Sequence, residues 1–270
     1  MIRFSVILFL FILSLSNARA QRDSLFIPAR SYPGPAVDFS VDNLENLYIV
    51  FQNGQLKKLG PAGDSIAVFN DMRRFGKLYS FDATNPLKLL LYYKNFGTIL
   101  ILDRFLNLRS TLDLRKQNLF QVKAIGQAYD NNIWVFDEQE ARLKRIGEDG
   151  RMVSQSTDFR MIFDSMPSPE YIVDQDKQVF LYDPQKGVYI FDYYGTFKSR
   201  IPFTGWTDFM VINNTILGRD EKYLYRYEPG TLELKKFPIP DFMKKAAKIK
   251  VTTGHAYLMD ANGISIFTFR

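Results

Sequence analysis

The chain has 270 residues, with 35 Lys and Arg against 29 Asp and Glu, one His, no Cys and a formal net charge of +6. Without thiols there is no disulfide, no cysteine-ligated zinc or iron–sulfur cluster and no thiol catalysis, and the mild basic excess falls well short of a nucleic-acid-binding footprint. Hydrophobic residues make up 46% and aromatics 15%, with 24 Phe and 15 Tyr, which suits an ordinary core built from strands.

The first 20 residues carry Arg3, an apolar run from Phe4 to Leu15 and then Ala18-Arg19-Ala20. That is the order of a secretory signal, and it predicts cleavage after Ala20. The alternative is a membrane anchor, but the run is shorter than the roughly 20 residues that span a bilayer. Losing Arg3 and Arg19 lowers the net charge to 6 − 2 = +4. No Cys means no lipobox, and no second long apolar segment follows. A periplasmic or secreted chain with no membrane insertion is expected.

After residue 20, short apolar runs alternate with turns. "SLFIPA" (24–29) reads as a lone strand, and Ala36–Ser40 as the next. "LYIVFQNGQLKKLGPAGDSIAVF", from Leu47, reads as three more. The same grammar then recurs. Lys77–Phe81 precedes "LLLYYKNFGTILILDRFLNLRSTL", and Val122–Ile125 precedes "NIWVFDEQEARLKRIGEDGRMVSQ". Glu170–Val173 precedes "QVFLYDPQKGVYIFDYYGTFKSRI", and Asp208–Ile212 precedes "TILGRDEKYLYRYEPGTLELKKF". Ala247–Val251 precedes "AYLMDANGISIFTF" at the end. The middle strands begin near Gln55, Thr98, Ala141, Val188, Tyr223 and Ile264, at spacings of 35 to 47 residues. That period fits a four-stranded propeller blade and is too long for ankyrin, tetratricopeptide or leucine-rich units.

Six units of four strands, A to D, are therefore predicted. The sixth lacks strand D, and the segment 24–29 is placed there. This joins the two ends of the chain in one blade and leaves only short edges. The expected fold is all-β: a single six-bladed β-propeller over residues 21–270, closed by an N-terminal strand in the last blade. Two β-sandwiches are the alternative and explain the even spacing less well.

The pattern of strand, Asp, turn, strand with Phe-Asp, two residues, Gly and strand resembles NHL-repeat and related six-bladed propellers. "VFLYDPQKGVYIFDYYGTFKS" and "IWVFDEQEARLKRIGEDGRM" carry it best. "TILGRDEKYLYRYEPGTL" has no Phe-Asp, and "QLKKLGPAGDSI" lacks the preceding Asp. The likeness bears on fold and hardly on function, because propellers host unrelated activities. In overall character the chain also resembles the small, cysteine-free, Phe/Tyr/Lys-rich exported propellers of Bacteroidota-type bacteria. That resemblance implies an accessory periplasmic subunit of a secretion or outer-membrane assembly, such as the type IX secretion translocon.

Related propeller lactonases and hydrolases hold calcium in the central channel, an ion that needs six to eight oxygens. The strand A regions here offer Asp38, Asp42, Asp82, Gln127, Asp174, Asp208 and Asn213. They stand at unequal heights, and several fall where a turn uses Asp or Asn anyway. No metal and no cofactor is expected. His255 is the only histidine, and there is no G-x-S-x-G, P-loop or G-x-G-x-x-G motif, so no catalytic residue is assigned. Asn213-Asn214-Thr215 fits both an N-glycosylation acceptor and a plain turn.

The connectors from strand D to the next strand A open on one face of the disc. They carry large apolar residues, three of them with clustered Lys or Arg. Arg73, Arg74, Phe75, Phe163, Trp206, Phe242 and Met243 are the candidate partner-binding residues, beside Phe120, Met161 and Met166. Such side chains favour interfaces; the alternative is that they fold inward and plug the core. A basic aromatic face also suits RNA, as in some NHL proteins, but the signal peptide argues against nucleic acid. The expected function is non-catalytic docking on other envelope proteins. A calcium-dependent propeller hydrolase or a glycan or small-ligand binder at the channel mouth are the alternatives. Phe105, Tyr193 and Tyr194 on the opposite face are the fallback surface.

Overall fold

A computed structural model describes residues 26–269. The expected signal sequence at 1–20, and Ser24 and Leu25 of the expected closing strand, lie outside the described residues. Six four-stranded antiparallel sheets follow one another along the chain. Blade one is β2–β5 (Ala36–Val41, Leu47–Phe51, Leu56–Leu59, Ser65–Phe69), and blade two is β6–β9 (Ser80–Asn85, Lys88–Tyr93, Thr98–Asp103, Leu108–Asp113). Blade three is β10–β13 (Val122–Gln127, Ile133–Asp137, Arg142–Ile146, Met152–Gln155). Blade four is β14–β17 (Tyr171–Gln175, Gln178–Asp183, Gly187–Asp192, Phe197–Ile201). Blade five is β18–β21 (Thr207–Ile212, Thr215–Arg219, Tyr223–Glu228, Glu233–Pro238). Blade six joins β22–β24 (Lys248–Val251, His255–Asp260, Gly263–Phe269) to β1 (Phe26–Pro33). The innermost strands of successive blades touch one another all the way round, so the ring is closed.

The repeated Asp residues have a local cause. At the end of strand B, Asp183 Oδ1 accepts from the backbone N–H groups of Gln185 and Lys186. Asp137, Asp220 and Asp260 accept in the same way at their own B–C turns. Asp103 and Asp192 do so at C–D turns. Each carboxylate replaces a strand partner for amides that the turn would orphan. Blade five, with Arg-Asp where blade four has Tyr-Asp, keeps this device through Asp220.

The middle strands are apolar on both faces because each blade is packed between two others. Leu100, Val135, Phe180 and Val188 are fully buried. The outer strand Glu233–Pro238 is exposed along its whole length. β1 pairs with β24 from Phe26↔Phe269 to Pro33↔Gly263, as the outer strand of blade six. A glycine opens strand C in blades four and six for one reason. A Cβ on Gly187 (φ +99°) would sit 2.3 Å from Ile201 O, and one on Gly263 (φ +136°) 2.2 Å from Tyr32 O, each at the end of its strand D.

The six-bladed ring agrees with the sequence expectation, and two strands differ from it by three residues or more at an end. The closing strand runs to Pro33 instead of ending at Ala29. The inner strand of blade two is Ser80–Asn85, not Lys77–Phe81. A one-turn helix, Met72–Phe75, and left-handed Gly76 hold the residues before it in the connector.

Candidate functional site

Each long connector sends at least one large apolar side chain into the seam between blades. Phe75, Leu119, Phe159, Trp206 and Met243 are all buried. This corrects part of the expected docking set. Phe75, Trp206 and Met243 are plugs, because the triangular gap between diverging blades must be filled at its mouth. The Trp206 indole stacks between Phe203 (4.5 Å) and Tyr225 (4.8 Å). The Tyr182 hydroxyl holds its backbone, accepting from Trp206 N and donating to Trp206 O. The ring occupies space left by Gly218, whose Cβ would lie 2.4 Å from it. A glycine inside "TILGR", where the copies ending in Asp137, Asp183 and Asp260 carry Val or Leu, was the signal for this in the sequence. Phe163 is half-buried against Phe159, Tyr189 and Phe197.

Beside these plugs other connector residues stay exposed. Arg73 and Arg74 lie on the one-turn helix, with the Arg74 guanidinium 4.9 Å from the Phe75 ring. Phe242 is partly exposed on Phe26 and Phe267. Tyr79, Phe96, Phe120, Met161 and Ile162 are also exposed, Met161 at 78%. They form an arc over blades one to four. The Lys94 ammonium lies 4.9 Å from the Tyr79 ring, and Arg115 donates to Asn95 O, tying neighbouring segments together. Tyr79, Phe96 and Ile162 escaped sequence reasoning. Phe96 sits in a B–C turn, which shares this face because strands B and D both end there.

The channel carboxylates already accept from protein donors. Asp82 accepts from Thr84 and, across the seam, from Gln127 N. Asp174 accepts from Tyr129 N and Trp134 Nε1, and burial pushes its carboxyl up. Asp208 accepts from Arg219 Nε (2.5 Å) and Ile249 N. Asp42 caps its own turn, accepting from Leu44, Asn46 and Tyr48. Asp38 pairs with Lys248. Asn213 and Asn214, both at positive φ, form the two-residue turn from β18 to β19. Among the described residues, no group of three His, Cys, Asp or Glu is close enough to share a metal. Lys250, near Asp38, Asp82 and Asp208 of three other blades, must project towards the axis; no described residue hydrogen-bonds or pairs with its ammonium. Burial first, then Lys248, pushes its pKa down to about 8.

On the opposite face, Phe105 is half exposed, and Tyr193 and Tyr194 lie against each other at a tilt in one C–D turn. His255 lies at the start of β23, with Nδ1 3.3 Å from Glu45 Oε2, and the Tyr257 hydroxyl donates to the same carboxylate.

No family model matches the chain, and no curated protein does. Solved structures resemble it in fold. A catalytically inactive virginiamycin B lyase from Staphylococcus aureus, with quinupristin, superposes with TM-score 0.63 at 12% identity over 91% of this chain and 98% of that one. A streptogramin B lyase gives TM-score 0.59 at 13% identity over 86% and 78%. The extracellular domain of a protein assigned as a hybrid two-component system in B. thetaiotaomicron gives TM-score 0.57 at 13% identity, over 87% of this chain and 33% of that one. At such identities the likeness shows a shared propeller fold. No helix among the described residues is long and apolar enough to cross a membrane.

Proposed function

We propose that this chain is an exported, non-catalytic propeller that docks on another protein of the cell envelope through its connector face. One observation carries the reading. Apolar side chains that could have turned inward stay in solvent there, as Phe96, Phe120, Met161 and Ile162, flanked by exposed Arg73, Arg74 and Lys116. Large apolar residues ringed by Arg are the composition of a binding surface. Residues 1–20 act as the cleaved leader, and 21–270 form the mature domain. The resemblance to exported Bacteroidota propellers makes the type IX secretion translocon the assembly to test first.

Recovery of partners from envelope extracts, read by mass spectrometry, tests this. Phe120→Asp with Met161→Asp should abolish recovery at an unchanged melting temperature. Arg73→Glu with Arg74→Glu should slow association and change its salt dependence. Recovery that survives all four changes rejects the connector face.

A catalytic reading keeps one foothold, the pairing of the sole histidine with Glu45 beside Tyr257, on a fold shared with the lyases. The docking reading expects quinupristin to survive incubation with the protein. Its consumption, lost in His255→Ala, would favour a lyase.

A further inference from the structure

The face opposite the connectors carries a second surface, at the A–B and C–D turns of blades two to four. Tyr129 and Tyr194 are each 61% exposed, and Tyr193 lies between them. Tyr129 meets Tyr193 edge-on at 5.6 Å, Tyr193 lies 4.0 Å from Tyr194, and the last two hydroxyls are hydrogen-bonded at 2.8 Å. The platform is fixed from below. The buried Arg145 guanidinium pairs with Asp130, donates to Tyr193 O and lies 5.7 Å from the Tyr129 ring. The Asp174 carboxylate accepts from Tyr129 N.

The same turn that carries Tyr129 carries Asn131, two residues on. Asn131 lines a cleft between blades two and three with Asn85, Lys88, Arg109 and Glu148. The cleft is pre-ordered: Glu148 pairs with both Lys88 (3.3 Å) and Arg109 (3.4 Å), and Asn85 donates to Asn131 Oδ1 at 3.4 Å.

We propose that this platform and cleft bind a neutral oligosaccharide. A pyranose presents a C–H face that stacks on an aromatic ring, whose negative π face attracts the slightly positive hydrogens. Its edge presents hydroxyls, which accept from guanidinium and amide N–H groups and donate to carboxylate and amide oxygens. Both parts occur here side by side and held in place, which lowers the ordering cost of binding. The charges select against other ligands. Each cation here, Arg145, Lys198, Lys88 and Arg109, is already paired with Asp130, Asp192 or Glu148, which leaves a polyanion such as a nucleic acid no free basic cluster to bind. A protein interface depletes charge at its centre, whereas this cleft sets Lys88, Arg109 and Glu148 among the amides of Asn85 and Asn131, beside Leu87. The site lies at the other end of the strands from the connector arc, so the two surfaces can be occupied together.

Calorimetric titration with hexasaccharides of α-1,4-glucose, β-1,4-glucose, β-1,4-mannose and β-1,4-N-acetylglucosamine is the test. At least one should bind. Tyr129→Ala and Tyr194→Ala should each weaken it about tenfold, the scale of one lost stacking contact, and Arg109→Gln should weaken it too. All three should melt as the parent does, since these side chains face solvent. Arg73→Glu with Arg74→Glu should leave sugar binding unchanged. The proposal falls if no sugar binds. It falls equally if binding survives Tyr129→Ala combined with Tyr194→Ala, or if this face captures a protein through those tyrosines and no sugar.

Discussion

Lys250 and Trp206 show how single side chains fit the ring. The Lys250 ammonium is held in a crowded channel beside Lys248, so folding disfavours its charged form and its pKa falls to about 8. The unfolded chain, with an ordinary lysine, then binds more protons between about pH 8 and 10.5. Stability must rise with pH across that window and be level below it. Lys250→Met should raise the melting temperature at pH 7 and flatten the rise between pH 8 and 10. A parent protein whose stability does not rise there would show that the amine is solvated. Trp206→Ala should cost about 3–5 kcal/mol in a denaturant titration, the usual price of deleting a buried aromatic. Filling the void from the other side with Gly218→Leu in the Trp206→Ala background should recover part of that loss. No recovery would mean that the indole, and not just its volume, is needed against Phe203 and Tyr225.

At the scale of strands and connectors, the strand that closes the ring sets stability. β1 pairs with β24 along its length, and Phe26 packs on Phe242 and Phe269. Deleting residues 26–33 should expose the β24 edge and cause aggregation or a large fall in melting temperature. An unchanged midpoint would refute that role. This closure was legible because the sixth repeat has three strands and a spare one stands before the first. Its end at Pro33 was not, since Arg30-Ser31-Tyr32-Pro33 carries no apolar run, whereas an exposed edge strand needs none and tolerates Pro. The connectors were half legible. "FNDMRRFGK" and "PFTGWTD" announce large side chains on one face, but which of them plug the seam depends on partners far away in sequence. Tyr182 and Gly218 bury Trp206, while Met161, in an equally apolar stretch, has no such socket. Periodicity along a strand carries no information about depth at a blade mouth.

The whole molecule is a ring with two differently furnished ends, one apolar and basic, the other aromatic and polar. The channel between them is laced by carboxylates that accept hydrogen bonds from neighbouring blades, so those groups serve as staples. Chelation with EDTA should therefore leave the melting midpoint unchanged; a fall that calcium reverses would mean that they regroup around an ion. The pairing of Phe26 with Phe269 has a further consequence, in time. Among the described residues, the first strand pairs only with the last of them to be made. A chain emerging N-terminus first can assemble blades one to five as they arrive, yet must hold residues 26–33 unpaired until 263–269 follow. That wait makes the final contact the one of longest sequence separation, with the slow loop closure this implies. It gives a chaperone that recognises extended apolar segments a defined interval, and a defined segment, to guard.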